Sequence, residues 1–131
     1  MAAIVTLTLN PAIDGACEAD AVHPTRKICT KNDRYNAGGG INVARVVSRL
    51  DGDVRAVYLA GEATGIVLDE LLDAAGIERL RVPIAGHTRT SLNVFERASG
   101  QEYRFVPEGP MVSAAEIDAC RAGWQRAFML R

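Results

Sequence analysis

Apolar and β-branched residues run almost unbroken from Ile4 to Leu9, a pattern that predicts a strand covered on both faces, as in a parallel sheet; Asn10-Pro11 ends it. Residues 16–22 and 27–35 are more polar and read as exposed or edge strands separated by His23-Pro24. After Gly38-Gly39-Gly40 the period changes to that of a helix over about 41–50, with Val43, Val46, Val47 and Leu50 on one face and Asn42, Arg45, Ser48 and Arg49 off it. Asp51-Gly52 makes a turn, and Val54 to Ala60 is a second buried-type strand closed by Gly61. Thr64 is placed to cap a helix whose apolar residues Ile66, Leu68, Leu71, Leu72 and Ala75 end at Gly76. Leu80 and Val82 predict a short strand before Pro83.

The order strand, helix, strand, helix, strand implies parallel crossovers and a layered α/β sheet with ligands at the strands' C-terminal ends. Beyond it, Thr90 to Arg97 and Gln101 to Val106 alternate around Ala98-Ser99-Gly100, a β-hairpin signal. With the strands near 16–35, this hairpin over about 90–106 is expected to form a small sheet lying over the cleft as a lid. Pro107-Glu108-Gly109-Pro110 breaks the chain. Ser113 and Glu116 then form a capping box for a helix whose apolar stripe is Ile117, Cys120, Trp124, Ala127 and Phe128. Trp124 and Phe128 need a packing partner, and a thin sheet of three parallel-type strands leaves an apolar edge, so the expectation is an incomplete domain.

Composition narrows the class. At 131 residues, 48% hydrophobic and 24% charged, the chain has the balance of one globular domain. A net charge of −1 gives no general attraction to nucleic acid or to an anionic membrane, so an anionic ligand must be held by locally placed cations. There is no apolar run of the roughly 18 residues that span a bilayer, and the N-terminus lacks a basic leader, as expected of a cytoplasmic protein. Cys17, Cys29 and Cys120 form no Cys-x-x-Cys pair and His23 lies far from His87, so reduced thiols are expected and no metal site.

The chemistry centres on Ala37-Gly38-Gly39-Gly40-Ile41-Asn42. Glycines allow positive φ and close approach to a ligand, and the helix start carries amide N–H groups without intrahelical partners. Neither the P-loop nor the dinucleotide fingerprint fits, because no Lys-Ser or Lys-Thr follows and Val43 stands where a glycine is required. Asn42 can exchange hydrogen bonds with a hydroxyl, as in a sugar, or can simply cap the helix. Asp14, expected just past the first strand, is either a ligand group or a turn residue.

With T-L-T-L-N-P-A-I-D at 6–14, A-G-G-G-I-N-V-A-R at 37–45, A-G-E-A-T-G at 60–65 and Q-E-Y-R-F-V at 101–106, the chain resembles the PfkB (ribokinase-like) carbohydrate kinases. The resemblance runs through essentially all of the chain but reaches only the N-terminal part of such a kinase domain. It implies a ribokinase-like α/β fold and ATP-dependent phosphorylation of a sugar phosphate with Mg²⁺, fructose 6-phosphate being the expected substrate. The near relatives that act on fructose 1-phosphate or tagatose 6-phosphate are the alternatives, and Gly39, where many members have lysine, favours the 6-phosphofructokinase type. It assigns Asp14, Gly38, Gly39, Gly40 and Asn42 to the sugar and Arg89 to the substrate phosphate. Arg104 is assigned to that phosphate or to a partner subunit, and Lys27 to the transferring phosphates; both are equally readable as solvated surface cations. The family's downstream Gly-rich motif with its catalytic Asp is absent, so no catalytic residue is expected here, and the chain alone should bind sugar phosphate poorly, hold neither ATP nor Mg²⁺ well and transfer nothing. A catalytically silent sugar-phosphate-binding or dimerising module is a further reading, and a homodimer through the lid strands is implied for the intact family member.

Overall fold

A computed structural model describes residues 4–129. Two sheets share the chain. The first is parallel, with β4 (Val54–Ala60) at its centre and β1 (Ile4–Thr8) and β5 (Glu78–Pro83) on either side. The second has the order β3-β2-β6-β7 and is built from β2 (Ala12–Ala19), β3 (Lys31–Gly38), β6 (Arg89–Glu96) and β7 (Glu102–Phe105). Helices α1 (Asn42–Arg49) and α2 (Glu62–Ala74) join the parallel strands, and α3 (Ala114–Met129) follows the second sheet.

Every residue of β4 is buried, as its unbroken apolar run predicts. Strand alternation divides them between two cores: Val54, Ala56, Tyr58 and Ala60 face Ile41, Ala44, Leu68 and Leu72, whereas Val57 and Leu59 face Cys120, Ala127 and Trp124. α1 and α2 thus cover one face and α3 the other, the three-layer arrangement of an α/β fold. Polar ties lock the layers. Tyr58 Oη donates to Asp69 Oδ1 of α2 at 2.5 Å, and Arg81 Nε meets Asp69 Oδ2 at 3.0 Å. Burial and the adjacent Asp69 carboxylate both push the Tyr58 hydroxyl well above its ordinary pKa. On the opposite face Arg55 reaches Glu78 at 2.6 Å and donates to the Ala127 carbonyl of α3.

Four expectations change. β1 is not covered on both faces: it lies at one side of the three-stranded sheet, and Ile4, Leu7 and Leu9 remain exposed. The polar strands occupy 12–19 and 31–38 rather than 16–22 and 27–35, because Asn10-Pro11 only redirects the chain and β2 follows at once, so Asp14 sits within a strand. In α1 the apolar face is turned outward, with Val43 57%, Val46 54% and Leu50 76% exposed, while Ile41 and Ala44 enter the core with Val47 against them. Finally, α2 starts before Thr64: the Gly61 carbonyl accepts the Gly65 N–H at 2.9 Å, and the Thr64 hydroxyl is buried without a partner.

The other elements follow their sequence signals. Gly76 closes α2 at φ 70 and Gly100 turns the β6–β7 hairpin at φ 75. The capping box forms, with Glu116 N–H donating to Ser113 Oγ at 3.2 Å and Ser113 N–H to Glu116 Oε1 at 2.8 Å. Cys17, Cys29 and Cys120 are free. Among the described residues no helix is long and apolar enough to cross a membrane.

Candidate functional site

Cross-strand register builds the wall of a cavity. Ala12, Asp14 and Ala16 point to one face of β2, and each has neighbours on both sides: Gly38 and Arg89 beside Ala12, Asn36 and Ser91 beside Asp14, Arg34 and Asn93 beside Ala16, with Arg104 one strand further on. Small residues on the central strand keep this face open below the long side chains at its rim. Against it stands the start of α1, reached through a 3₁₀ turn at Gly39–Ile41. The open cleft between them, of about 360 Å³, is lined by Asp14, Asn36, Gly39, Asn42, Arg45, Arg89, Ser91, Asn93 and Arg104, among others.

The glycine run makes this approach possible. A Cβ on Gly38 would lie 1.9 Å from Asp14 Oδ2, so only glycine leaves room for the carboxylate. Gly39 takes φ 73, which turns the strand into the helix start. Gly40 lies against Thr8, where a Cβ would sit 3.0 Å from Oγ1.

Hydrogen bonds orient the lining groups. Ser91 Oγ donates to Asp14 Oδ1 at 2.7 Å, leaving Oδ2 to accept from a ligand. Asn42 does not cap α1; its Oδ1 accepts from Arg45 Nη1 at 3.1 Å, and the same nitrogen donates to the Ala37 carbonyl at 3.0 Å. The Asn42 amide NH₂ is thereby the group left to donate. Arg89 ties two loops together, giving one hydrogen bond from Nη1 to the Pro107 carbonyl at 3.1 Å and one from Nη2 to Asn10 O at 3.0 Å. Its Nε and the Asn93 Oδ1 are buried without partners, two unmet polar groups among the cavity's own lining residues. The site therefore offers a carboxylate acceptor, an amide donor and three guanidinium groups, those of Arg45, Arg89 and Arg104, around one space, a set suited to a polyhydroxy compound carrying an anionic group.

Of the residues singled out in the sequence, Asp14, Gly39, Asn42, Arg89 and Arg104 line the cavity. Gly38 and Gly40 shape its edge without lining it, and Lys27 lies in the exposed connection between β2 and β3, away from the lining. Asn36, Arg45, Ser91 and Asn93 went unrecognised in the sequence. Asn36, Ser91 and Asn93 are polar residues of alternating strands that gain a role only through the register pairing β2 with β3 and β6, and Arg45 gains its role through the packing of α1, where it bonds the Ala37 carbonyl and Asn42. Among the described residues no three His, Cys, Asp or Glu side chains converge as a metal site would require.

The family profile described as pfkB family carbohydrate kinase matches residues 7–124. The chain is 45% identical over 118 residues to the ATP-dependent 6-phosphofructokinase isozyme 2 of Mycobacterium tuberculosis (strain CDC 1551 / Oshkosh), covering 89% of this chain and 35% of that protein. With the Escherichia coli (strain K12) protein of the same description it shares 39% over 118 residues, 89% of this chain and 38% of that one. The crystal structure of the phosphofructokinase-2 from Escherichia coli in complex with fructose-6-phosphate matches 100% of this chain and 43% of its own, with a TM-score of 0.87 at 34% identity. The chain thus spans less than half the length of these relatives.

Proposed function

The chain belongs to the pfkB family of carbohydrate kinases, and from that premise we propose that it forms the sugar-phosphate-binding part of a cytoplasmic ATP-dependent 6-phosphofructokinase. The reaction is transfer of the ATP γ-phosphoryl group to O1 of fructose 6-phosphate. The observation that carries the reading is the convergence of Asp14, Asn42 and Arg89, distant in sequence, around one cavity. In it Asp14 accepts from sugar hydroxyls through Oδ2 while Ser91 holds Oδ1, and Asn42 donates to a sugar oxygen. The glycine run at Gly38, Gly39 and Gly40 admits the sugar close to the backbone. Arg89 and Arg104 hold the phosphate the sugar already carries.

Lys27 is assigned to the phosphates of ATP. ATP and Mg²⁺ otherwise belong, in this proposal, to the larger share of the relatives' length that this chain does not span, and no proton acceptor for O1 is assigned here. The strands of the second sheet serve as a lid over the cleft. A homodimer through that sheet is supported by its apolar ladder: Tyr35 and Leu92 flank Gly15, Phe105 pairs with Leu92, and all three side chains are exposed.

The test is a fusion of this chain to the remaining length of the Escherichia coli relative, assayed for ATP-dependent formation of fructose 1,6-bisphosphate. Arg89→Ala in that fusion is expected to raise KM for fructose 6-phosphate roughly 10- to 100-fold, the loss of a charge-assisted pair. An unchanged KM would remove the phosphate clamp from the proposal. The 131-residue chain alone is expected to form no product.

A further inference from the structure

A second cavity of about 380 Å³ lies behind the sugar cleft, between β3 and the C-terminal turns of α1 and α2. Arg45, Ser48 and Arg49 of α1 stand on one side of it with Tyr35 at its mouth, and Leu71 and Ile77 form an apolar floor. Among the described residues no Asp or Glu lines it, although the chain carries 16 acidic residues. Arg49 has no carboxylate partner among the described residues, while Arg79, Arg81 and Arg97 are all paired. Two guanidinium groups four residues apart on a helix, with a hydroxyl between them, offer donors to a tetrahedral anion, Arg49 directly and Arg45 once its Nη1 leaves the Ala37 carbonyl and Asn42 Oδ1, and the floor suits a hydrocarbon body.

We propose that this cavity is a second ligand site, distinct from the sugar cleft, for a small phosphate monoester with an apolar or aromatic body. Its position gives it a consequence. Arg45 lines both cavities, and its Nη1 holds the Asn42 Oδ1 at 3.1 Å. An anion that draws Arg45 toward Arg49 frees that oxygen and reorients the Asn42 amide, so occupancy of the second site alters the first. The effect on sugar affinity rests on the function proposed above; the binding site itself does not.

Amide and side-chain NMR shifts of the full 131-residue chain, titrated with phenyl phosphate, test both parts. The expected result is saturable shifts at Ser48, Arg49 and Ala75, together with the Asn42 side-chain amide. Inorganic phosphate should give the same pattern with weaker affinity, and phenol none. Arg49→Ala, at an exposed position, should weaken phenyl phosphate about tenfold, one charge-assisted contact. Shifts confined to Asp14, Ser91 and Arg104 would mean that the anion enters only the sugar cleft and would overturn the site, as would an unchanged affinity in Arg49→Ala. Shifts at Ser48 and Arg49 with a stationary Asn42 amide would overturn the coupling. A separate titration with fructose 6-phosphate, read at Asp14 and Ser91, reports on the sugar cleft and so distinguishes failure of that reading from failure of this one.

Discussion

Gly38, Gly39 and Gly40 stand in one run, yet each is a glycine for its own reason. Gly39 adopts a left-handed backbone, Gly40 lets the helix start approach Thr8, and Gly38 makes room for a carboxylate from the neighbouring strand. A methyl group at Gly38 would lie 1.9 Å from Asp14 Oδ2 and 2.2 Å from its Cγ. Gly38→Ala must therefore rotate Asp14 or shift the β2–β3 pairing, at an expected cost of about 1–3 kcal/mol. A thermal melt measures that cost, and in the fusion enzyme the same change should depress kcat/KM for fructose 6-phosphate. A melt and a kcat/KM both equal to wild type would mean that Asp14 does not need its present position. Ser91 acts on the same carboxylate from the other side; Ser91→Ala removes one hydrogen bond, worth about 1 kcal/mol, and should raise KM with little change in folding.

At the scale of elements, the start of α3 is better specified by the sequence than the faces of α1. α3 begins at a complete capping box, and Glu116 does more than close it: Oε2 accepts the Ala85 N–H at 2.7 Å, pinning the helix start to the chain leaving β5. Hydrogen bonds from the Ser113 and Ala85 backbone hold this carboxyl below its ordinary value of 4.5. Because the folded pKa is depressed, Glu116 contributes stability that is present above about pH 4.5 and is lost as pH falls through the lower folded value. Glu116→Gln should melt lower at neutral pH and vary less over the acid range. Parallel acid curves for the two proteins would refute the role. α1 teaches the opposite lesson. Its sequence holds two apolar stripes, Val43-Val46-Leu50 and Ile41-Ala44-Val47, and the smaller one faces the core because Ala44 lets the helix lie close to β4.

Over the whole molecule, the second sheet presents different chemistry along alternate rows. The rows through Ala12, Asp14 and Ala16 form the polar cavity wall, and the row through Tyr35, Gly15, Leu92 and Phe105 is apolar and exposed. An exposed apolar ladder of this kind is a surface for association. The expected behaviour is a concentration-dependent dimer by light scattering, and Leu92→Glu combined with Phe105→Glu should yield a monomer with an unchanged circular dichroism spectrum. A double variant that remains dimeric would move the interface elsewhere. The exposed residues Leu7 and Leu9 of the β1 segment, beside Trp124 and Ile117 of α3, form a separate apolar hollow on the parallel sheet.

The periodicity of the chain was enough to determine β4, the hairpin, the glycine closing α2 and the capping box, because each depends on neighbours within a few residues. Four short motifs were enough to determine the family. The sequence could not determine that β1 lies beside β4 at one side of its sheet, or which stripe of α1 turns inward, since both depend on what packs alongside. Nor could it determine the pairing of Asp14 with Ser91 and Asn36. Those contacts join residues 77 and 22 positions apart, and register between distant strands is settled by the tertiary fold as a whole, where shifting a strand by one residue would turn a carboxylate away from the cavity and an apolar side chain into it.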